Sequence, residues 1–396
     1  MTGSLDPPVR AADPMADAGA RLRWRMVQRI ADAGGLENAV WRKAFEDVPR
    51  HLFVPRYYHP VRGGGFETLR HDDPDPRRRL RWLSGAYEDV PLVTHLRAGS
   101  AVSSSSQPSL MASMLEALEV RDADSVLEIG AGTGYNAALI AHRLGDDGRV
   151  TTMDLEEAIT DSARDHLTAA GYGPRTVAVV TGDGALGCPD RAPYDRIMAT
   201  CAMPFIPPSW PAQCRAGALI LAPMANSLIK LRVSPTGRAE GRFLDTPAYF
   251  VQLRRAQPPQ SPGEGEGEDI RERETRTGPR ALDSESFRFV LGLAAGELGV
   301  RWSYDETRRL SGVDLSAPDG STASADRGGT VLLEGRRDLW ALVEEAYDLW
   351  ERRRRPERSR FGLTVEGGRQ WIWLDDPGGD SWPLTGASRP SDGAAT

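Results

Sequence analysis

Between residues 109 and 223 short apolar runs alternate with amphipathic stretches. Strands are predicted at 125–129, 149–154, 176–181, 196–202 and 218–223. Helices are predicted at 109–118, 136–144, 156–169 and near 208–214. Strands interleaved with helices imply a mainly parallel sheet covered on both faces. Upstream, a helix is predicted over 21–33, where Leu22, Met26 and Ile30 share one face, and another over 37–46. Residues 34–99 carry Pro, Arg and aromatics without clear periodicity and read as a wrap-around segment rather than a core. Downstream, 228–234 and 249–253 are expected to add antiparallel strands at one edge.

Composition marks the boundaries. Residues 1–20, rich in Pro, Ala and Asp, and 377–396 are expected to be disordered tails. From 256 to 280 Pro, Gly and alternating acids cannot bury a core, which reads as a linker. The expected organisation is a main domain over 21–255 and a smaller α+β domain over 281–376. The latter is built from a helix at 284–298, strands at 330–333, 361–365 and 370–374, and a helix at 337–351. The fold class is α/β: Rossmann-like, doubly wound, with this C-terminal addition.

Charge and residue counts exclude several classes. The 396-residue chain is 40% hydrophobic and 27% charged, with a net charge of −7. That balance argues against coating nucleic acid. Three cysteines, Cys188, Cys201 and Cys214, are too scattered for a disulfide framework or a zinc site, and the six histidines show no metal spacing. The first twenty residues lack the apolar core of a secretory signal, and no apolar run approaches membrane-spanning length. A cytoplasmic protein without membrane, metal or nucleic-acid partners is expected.

The chemistry concentrates in VLEIGAGTGY, residues 126–135. A buried strand that ends in Gly130, Gly132 and Gly134 and feeds a helix makes a nucleotide-sized crevice. Glycine permits the turn and close approach of a ligand, and the helix start offers N–H donors. Such a turn serves dinucleotides and S-adenosylmethionine alike. Glu128 tilts the choice, because a carboxylate there repels pyrophosphate and suits an α-amino group and a sulfonium. Asp154, at the end of the second strand, is placed to accept from both ribose hydroxyls, with Leu155 beside it. Asp183 and Gly184, in the turn after the third strand, suit the adenine amino group. Ala131, Thr133 and Tyr135 border the turn. The segment 199–208 after the fourth strand is expected where the reactive methyl points. Each aspartate alone reads equally as a turn or cap residue; together with the glycine turn they point to S-adenosylmethionine as cofactor.

Over about residues 21–253 the chain resembles the protein-L-isoaspartate O-methyltransferases. The matching stretches are DVPRHLFVP (47–55), AYEDVPL (86–92), VLEIGAGTGYNAAL (126–139), GDGALG (182–187) and PYDRIMATCAMPFIPP (193–208). The resemblance implies a peptide or protein partner bearing aspartate or isoaspartate, whose carboxylate is methylated. The ester is then attacked by the next backbone nitrogen to give a succinimide. A carboxylate is already ionised at neutral pH, so the protein needs mainly to align oxygen, methyl and sulfur and to exclude water. The absence of an obvious acid–base pair in the sequence agrees with that chemistry.

The departure lies on the substrate side. Where the family has an ISAPHMHA-like segment, this chain reads VSSSSQPSLMA, 102–112. The resemblance places Ser106 on the serine whose hydroxyl contacts the substrate carboxylate, the catalytic candidate. Gln107 replaces a small residue, and Ser109 and Met111 replace two histidines. Ser105, Gln107 and Cys201 are the candidate substrate contacts. A serine run before a helix otherwise reads as a flexible N-cap region. The serine form and the C-terminal extension resemble the branch associated with ribosomally made peptide natural products, the lanthipeptide- and graspetide-type aspartyl methyltransferases. Generic repair of isoaspartyl proteins stays open, as does a non-catalytic, S-adenosylmethionine-binding peptide-recognition protein. Cys201 reads alternatively as a small buried hydrophobe, Arg352 to Arg355 as a helix-end cap, and Trp340, Trp350, Trp371 and Trp373 as core.

Overall fold

The computed structural model describes residues 14–61, 64–97, 99–253, 270–295, 298–306, 310–317 and 319–384. Along the chain run α1 (Pro14–Asp32), α2 (Ala39–Asp47), β1 (Arg56–Pro60), β2 (Phe66–Arg70), α3 (Pro76–Ala86), β3 (Leu92–Arg97), β4 (Ser100–Ser105) and α4 (Pro108–Leu118). Then come β5 (Ser125–Ile129), α5 (Tyr135–Leu144), β6 (Arg149–Asp154), α6 (Glu157–Ala169), β7 (Val177–Thr181), β8 (Tyr194–Ala199), α7 (Ser209–Ala212), β9 (Cys214–Met224), β10 (Ser227–Val233) and β11 (Ala239–Pro247). The remainder comprises β12 (Arg271–Glu274), α8 (Glu285–Ala295), β13 (Gly299–Tyr304), β14 (Leu310–Ser316), β15 (Thr322–Asp326), β16 (Thr330–Glu334), α9 (Leu339–Arg352), β17 (Phe361–Glu366), β18 (Arg369–Leu374) and β19 (Ser381–Pro383). These elements fall into two compact units, 1–124 with 131–181, and 125–130 with 182–396.

In the first unit, the stretch 34–99 is more regular than its composition suggested. It contributes three strands and two helices, and β4 completes a four-stranded antiparallel sheet in the order β2-β1-β3-β4. Its aromatics supply the core. Trp41, Phe45, Phe53, Tyr57, Trp82 and Tyr87 are all buried, and the Trp82 indole N–H reaches the Val54 carbonyl at 2.8 Å. Of the tail expected over 1–20, α1 covers the residues from Pro14 onward, and 1–13 lie outside the described residues. The same unit holds β6 and β7, paired in parallel, and α5, which is buried along most of its length.

In the second unit the strands run in the order β19-β18-β17-β11-β10-β9-β8-β5. Pairing is parallel from β5 through β8 to β9 and antiparallel from there outward. The α/β class is borne out, with a larger antiparallel share than the pattern implied. The edge strand expected at 228–234 is β10. Within 249–253 there is only a bridge between Ala202 and Gln252, while β11 arises from an unexpected stretch. Strands expected in a separate C-terminal domain instead continue this sheet, with Ala239 opposite Val365 and Arg242 opposite Gly362. A Cβ at Gly362 would fall 2.1 Å from the Trp373 ring, which lies across it. The Arg242 guanidinium stacks 4.7 Å from that ring's centroid.

The rest of the extension is an antiparallel five-stranded sheet, β12-β16-β15-β14-β13. β12 occupies part of the expected linker, and of that linker 256–269 lie outside the described residues. β19 occupies part of the expected C-terminal tail, of which 385–396 lie outside. Arg273 on β12 faces inward to Asp338 and Glu344, at 2.9 and 3.0 Å. Helix α8 is apolar on two sides. Phe287 packs on Tyr347 and Trp350 of α9, while Phe289 packs on Phe243 of β11 and Phe361 of β17 at 4.8 and 5.5 Å. Replacing Phe289 by Ala should therefore open a cavity at this junction and lower unfolding free energy by about 3–5 kcal/mol. Urea denaturation measures it; a loss below about 1 kcal/mol would mean that α8 is not pinned there.

Candidate active site

The first unit's candidate residues are organised by a side chain from the DVPRHLFVP stretch. Arg50 is fully buried. Its guanidinium donates to the carbonyls of Ala86, Glu88 and Val90, at 3.1, 3.0 and 3.1 Å, and to those of Ser105 and Ser106, at 3.3 and 3.0 Å. One rigid fork of donors thus ties the AYEDVPL segment to the serine segment. Burial pulls its pKa down to about 10, with Tyr135, Asp89 and other neighbours opposing the shift, so the group stays cationic at neutral pH.

Asp89 acts on the same loop. Its carboxylate accepts from the Ser109 N–H at 2.8 Å and from Gln107 Nε2 at 3.3 Å. Gln107 is the N-cap of α4 but gives no side-chain cap, and Pro108 has no N–H. The charge of Asp89 therefore supplies what the helix start lacks. Gln107 also donates to Ser109 Oγ at 3.0 Å.

The serine run is a strand, not a flexible cap. β4 pairs antiparallel with β3, Leu92 opposite Ser105 and Val93 opposite Ser104. Strand alternation sorts the serines: Ser103 and Ser105 are buried, while Ser104 and Ser106 are half-buried. The Ser105 side chain belongs to the interior, and its hydroxyl has no hydrogen-bond partner among the described residues. Ser106 follows the strand, with its carbonyl held by Arg50.

The glycine turn comes up against this strand. Gly132 has φ +51°, and a Cβ there would lie 3.4 Å from the Ser104 carbonyl oxygen and 3.9 Å from Ser103 Oγ. Its N–H donates to Asp154 Oδ2 at 3.3 Å, and the Leu155 N–H donates to Oδ1 at 2.9 Å. The Ala131 N–H bonds the Met153 carbonyl at 2.9 Å. Gly134, φ +84°, is the N-cap of α5 and touches Leu167 and the Ala163 carbonyl. The Thr133 carbonyl accepts from His166 Nδ1 at 3.1 Å. Tyr135 is different: its ring is buried against Phe45 and Phe53, which commits the side chain to the core and leaves only its backbone at the turn. A bare glycine backbone beside a carboxylate at a strand's end suits an adenosyl ribose.

The other expected residues lie in the second unit. Glu128 is buried on β5, opposite Met198. Gly130, φ +100°, has Thr200 Oγ1 where a Cβ would sit, 2.5 Å away, and that hydroxyl donates to the Gly130 carbonyl at 2.8 Å. Cys201 follows, its Sγ 3.9 Å from the Ile129 carbonyl. Asp183 caps the short turn after it by accepting the Ala185 N–H at 2.9 Å. A Cβ at Gly184 would strike Ile129 at 2.5 Å. Arg50, Asp89 and Thr200 were not singled out from the sequence, although all three lie in stretches that carry the family resemblance. Of the tryptophans weighed as core, Trp340, Trp350 and Trp373 are buried.

An α/β fold with these turns is that of an S-adenosylmethionine-dependent methyltransferase, and S-adenosylmethionine is the cofactor. The family model described as protein-L-isoaspartate(D-aspartate) O-methyltransferase matches residues 78–241. The protein-L-isoaspartate O-methyltransferase of Ignicoccus hospitalis is 33% identical over 233 residues, 58% of this chain and 95% of that protein. That of Methanoculleus marisnigri is 36% identical over 229 residues, 57% of this chain and 88% of that protein. A solved structure titled protein-L-isoaspartate O-methyltransferase aligns with a TM-score of 0.54 at 21% identity, covering 89% of this chain and 100% of the other, a likeness of fold. The chain belongs to the protein-L-isoaspartate(D-aspartate) O-methyltransferase family and is an enzyme. Among the described residues no helix is long and apolar enough to cross a membrane.

Under the serine strand's support, His51 Nδ1 lies 2.6 Å from the Tyr87 hydroxyl. Burial, with Arg23 nearby, pulls the imidazole from 6.5 to about 4. His166 is shifted down as well, chiefly by burial. Both are folded-state depressions, so stability is full above about pH 6.5, where both rings are neutral in either state, and falls as pH drops below it, for His51 down to about pH 4. Stability by urea titration should drop between about pH 7 and pH 5, and His51→Gln should flatten that slope. An unchanged slope would remove His51 as its source.

Proposed function

We propose that the protein methylates the side-chain carboxylate of an isoaspartyl or aspartyl residue in a peptide, and that the ester collapses to a succinimide. The observation that carries this reading is the approach of the glycine turn at Gly132 to the serine strand at Ser103 and Ser104. It brings a cofactor-type turn and a substrate-type segment side by side within one unit. S-adenosylmethionine supplies a methyl group on a sulfonium that is its own leaving group.

The chain's residues then bind and align. Asp154 accepts from the ribose hydroxyls, and the turn from Gly130 to Gly134 gives the cofactor backbone to lie against. Ala131, Thr133, Leu155 and the Tyr135 backbone complete that wall. Glu128 faces cationic groups, and Asp183 with Gly184 receives the adenine. Ser106 donates its hydroxyl to the acceptor carboxylate, with Gln107 and Cys201 as further contacts. No base is needed, since the attacking carboxylate has a pKa near 4. A carboxylate oxygen takes the methyl group and S-adenosylhomocysteine departs. The next backbone nitrogen then attacks the ester carbonyl, and its proton passes through water to the departing methoxide, which leaves as methanol.

Within this chemistry we favour a dedicated ribosomally made peptide over general repair of isoaspartyl proteins. Ser109 and Met111 of α4 stand where the resemblance places two histidines, just after the paired serine strand, and an extension follows the methyltransferase domain; both support a specialised acceptor. On this reading residues 281–376 take part in recognising the peptide. Mass spectrometry with S-adenosylmethionine separates the alternatives. Any precursor peptide encoded beside the gene should gain one methyl and then lose methanol at a single aspartate. Equal turnover of unrelated isoaspartyl peptides, with none on any aspartyl peptide, would return the protein to general repair. Tight cofactor binding without methyl gain on any peptide would make it a non-catalytic binder. Ser106→Ala should lower kcat by about 10–100-fold and leave cofactor Kd within about threefold, whereas Asp154→Ala should weaken cofactor Kd by about tenfold or more. The reverse pattern, by calorimetry and initial rates, would reverse the two assignments.

A further inference from the structure

The chain after β8 reads CAMPFIPP, residues 201–208. Three of its last five residues are prolines, which cannot donate a backbone hydrogen bond, so this stretch cannot hold itself in a helix or a ladder. It is held instead from outside, at successive points in the second unit. The Thr200 N–H bonds the Ile129 carbonyl at 2.8 Å, and its hydroxyl bonds the Gly130 carbonyl. The N–H groups of Ala202 and Met203 bond the carbonyls of Val251 and Pro223, each at 2.8 Å. Further on, Ser209 Oγ and the Trp210 indole N–H reach the carbonyls of Ala185 and Gly184, at 2.5 and 2.9 Å. The segment thereby spans from the first glycine of one turn to the turn that Asp183 caps.

Its middle is held by the extension. Gln370 of β18 is 5% exposed and Ile206 fully buried. The Ile206 N–H donates to Gln370 Oε1 at 3.0 Å, and Gln370 Nε2 donates to the Ile206 carbonyl at 2.6 Å. One planar amide thus satisfies both polar groups of one buried peptide residue. Gln370 is itself fixed by β-pairing with Val365 and by the Leu384 N–H on its carbonyl at 3.0 Å.

We propose that Gln370 is a positioning residue for methyl transfer: through Ile206 it fixes the segment that carries Cys201. The C-terminal strands are then working parts of the transfer centre, besides any part they play in choosing the peptide. This inference rests on the methyl-transfer reading above, and it is tested in the full-length chain with a peptide that the wild type methylates. Gln370→Leu strands both polar groups of Ile206. It should lower kcat about tenfold or more, leave cofactor Kd within about threefold, and speed amide hydrogen exchange at Ile206 by about tenfold or more. A kcat within about twofold of wild type, or unchanged exchange at Ile206, would overturn the proposal.

Gln370→Glu covers the case in which the leucine variant does not fold. A protonated carboxyl reproduces the donor and acceptor of the amide, and burial raises its pKa; an ionised one loses the donor and confronts the Ile206 carbonyl. Its kcat relative to wild type should recover at about pH 5.5 and fall by about pH 8, and parallel profiles would overturn the role. A wild type that methylates no peptide removes the proposed function alone, because exchange at Ile206 still decides whether Gln370 is the anchor.

Discussion

A buried guanidinium bonded, among the described residues, to carbonyls rather than to a carboxylate is the constraint on which the first unit depends. Both terminal nitrogens of Arg50 donate to backbone carbonyls from two separate stretches, 86–90 and 105–106, while its Nε has no partner among the described residues. Burying a cation is costly unless its donors are satisfied, and leaving five carbonyls without partners would be costly as well. Each side of the interaction makes the other tolerable. The outcome is a serine segment whose backbone is fixed by a residue some fifty positions earlier. Asp89, carried by one of the clamped stretches, reaches the start of α4 from that fixed base.

The two glycine-bearing turns, at 130–134 and 183–187, follow a similar logic of backbone held by neighbours. Gly132 and Gly134 are packed against Ser104 and against Ala163 and Leu167. Gly130 and Gly184 are packed against Thr200 and Ile129. A Cβ would collide at Gly130 and Gly184, at 2.5 Å in each case, and would be tight at Gly134, at 3.1 Å, while Gly130, Gly132 and Gly134 have positive φ. The glycines therefore serve close packing as much as they leave room for a ligand. Catalysis that needs alignment more than acid–base chemistry requires this kind of support, since a small displacement of reacting atoms is expensive.

Much of the parallel core was legible because its signals are local. The strands β5 and β6 begin and end where the apolar runs do, and α5 starts within a residue of the glycine turn. What was not legible depends on partners distant in sequence. The stretch 34–99 has no periodicity because its strands are short and its order comes from buried aromatics and Arg50. A homopolymeric run of serine carries no period-2 signal, although β4 sorts it into inward and outward residues. β17 and β18 were recognised as strands, but nothing in their own sequence says that they pair with β11. Tyr135 adjoins the turn in sequence and leaves it in space, because a large ring finds more contact with Phe45 and Phe53 than with a polar surface.

The pairing of β17 with β11 also changes how the sheet meets its surroundings. Without the extension, the edge of β11 that β17 now covers, Ala239 to Arg242, would stand open, a template on which another chain could build. With β17, β18 and β19 added, that end is instead a strand of three residues, Ser381 to Pro383. Its last residue has no N–H to give. The described margin of the sheet is thus a short strand poor in donors, which offers a neighbouring strand less backbone to pair with than an open β11 would.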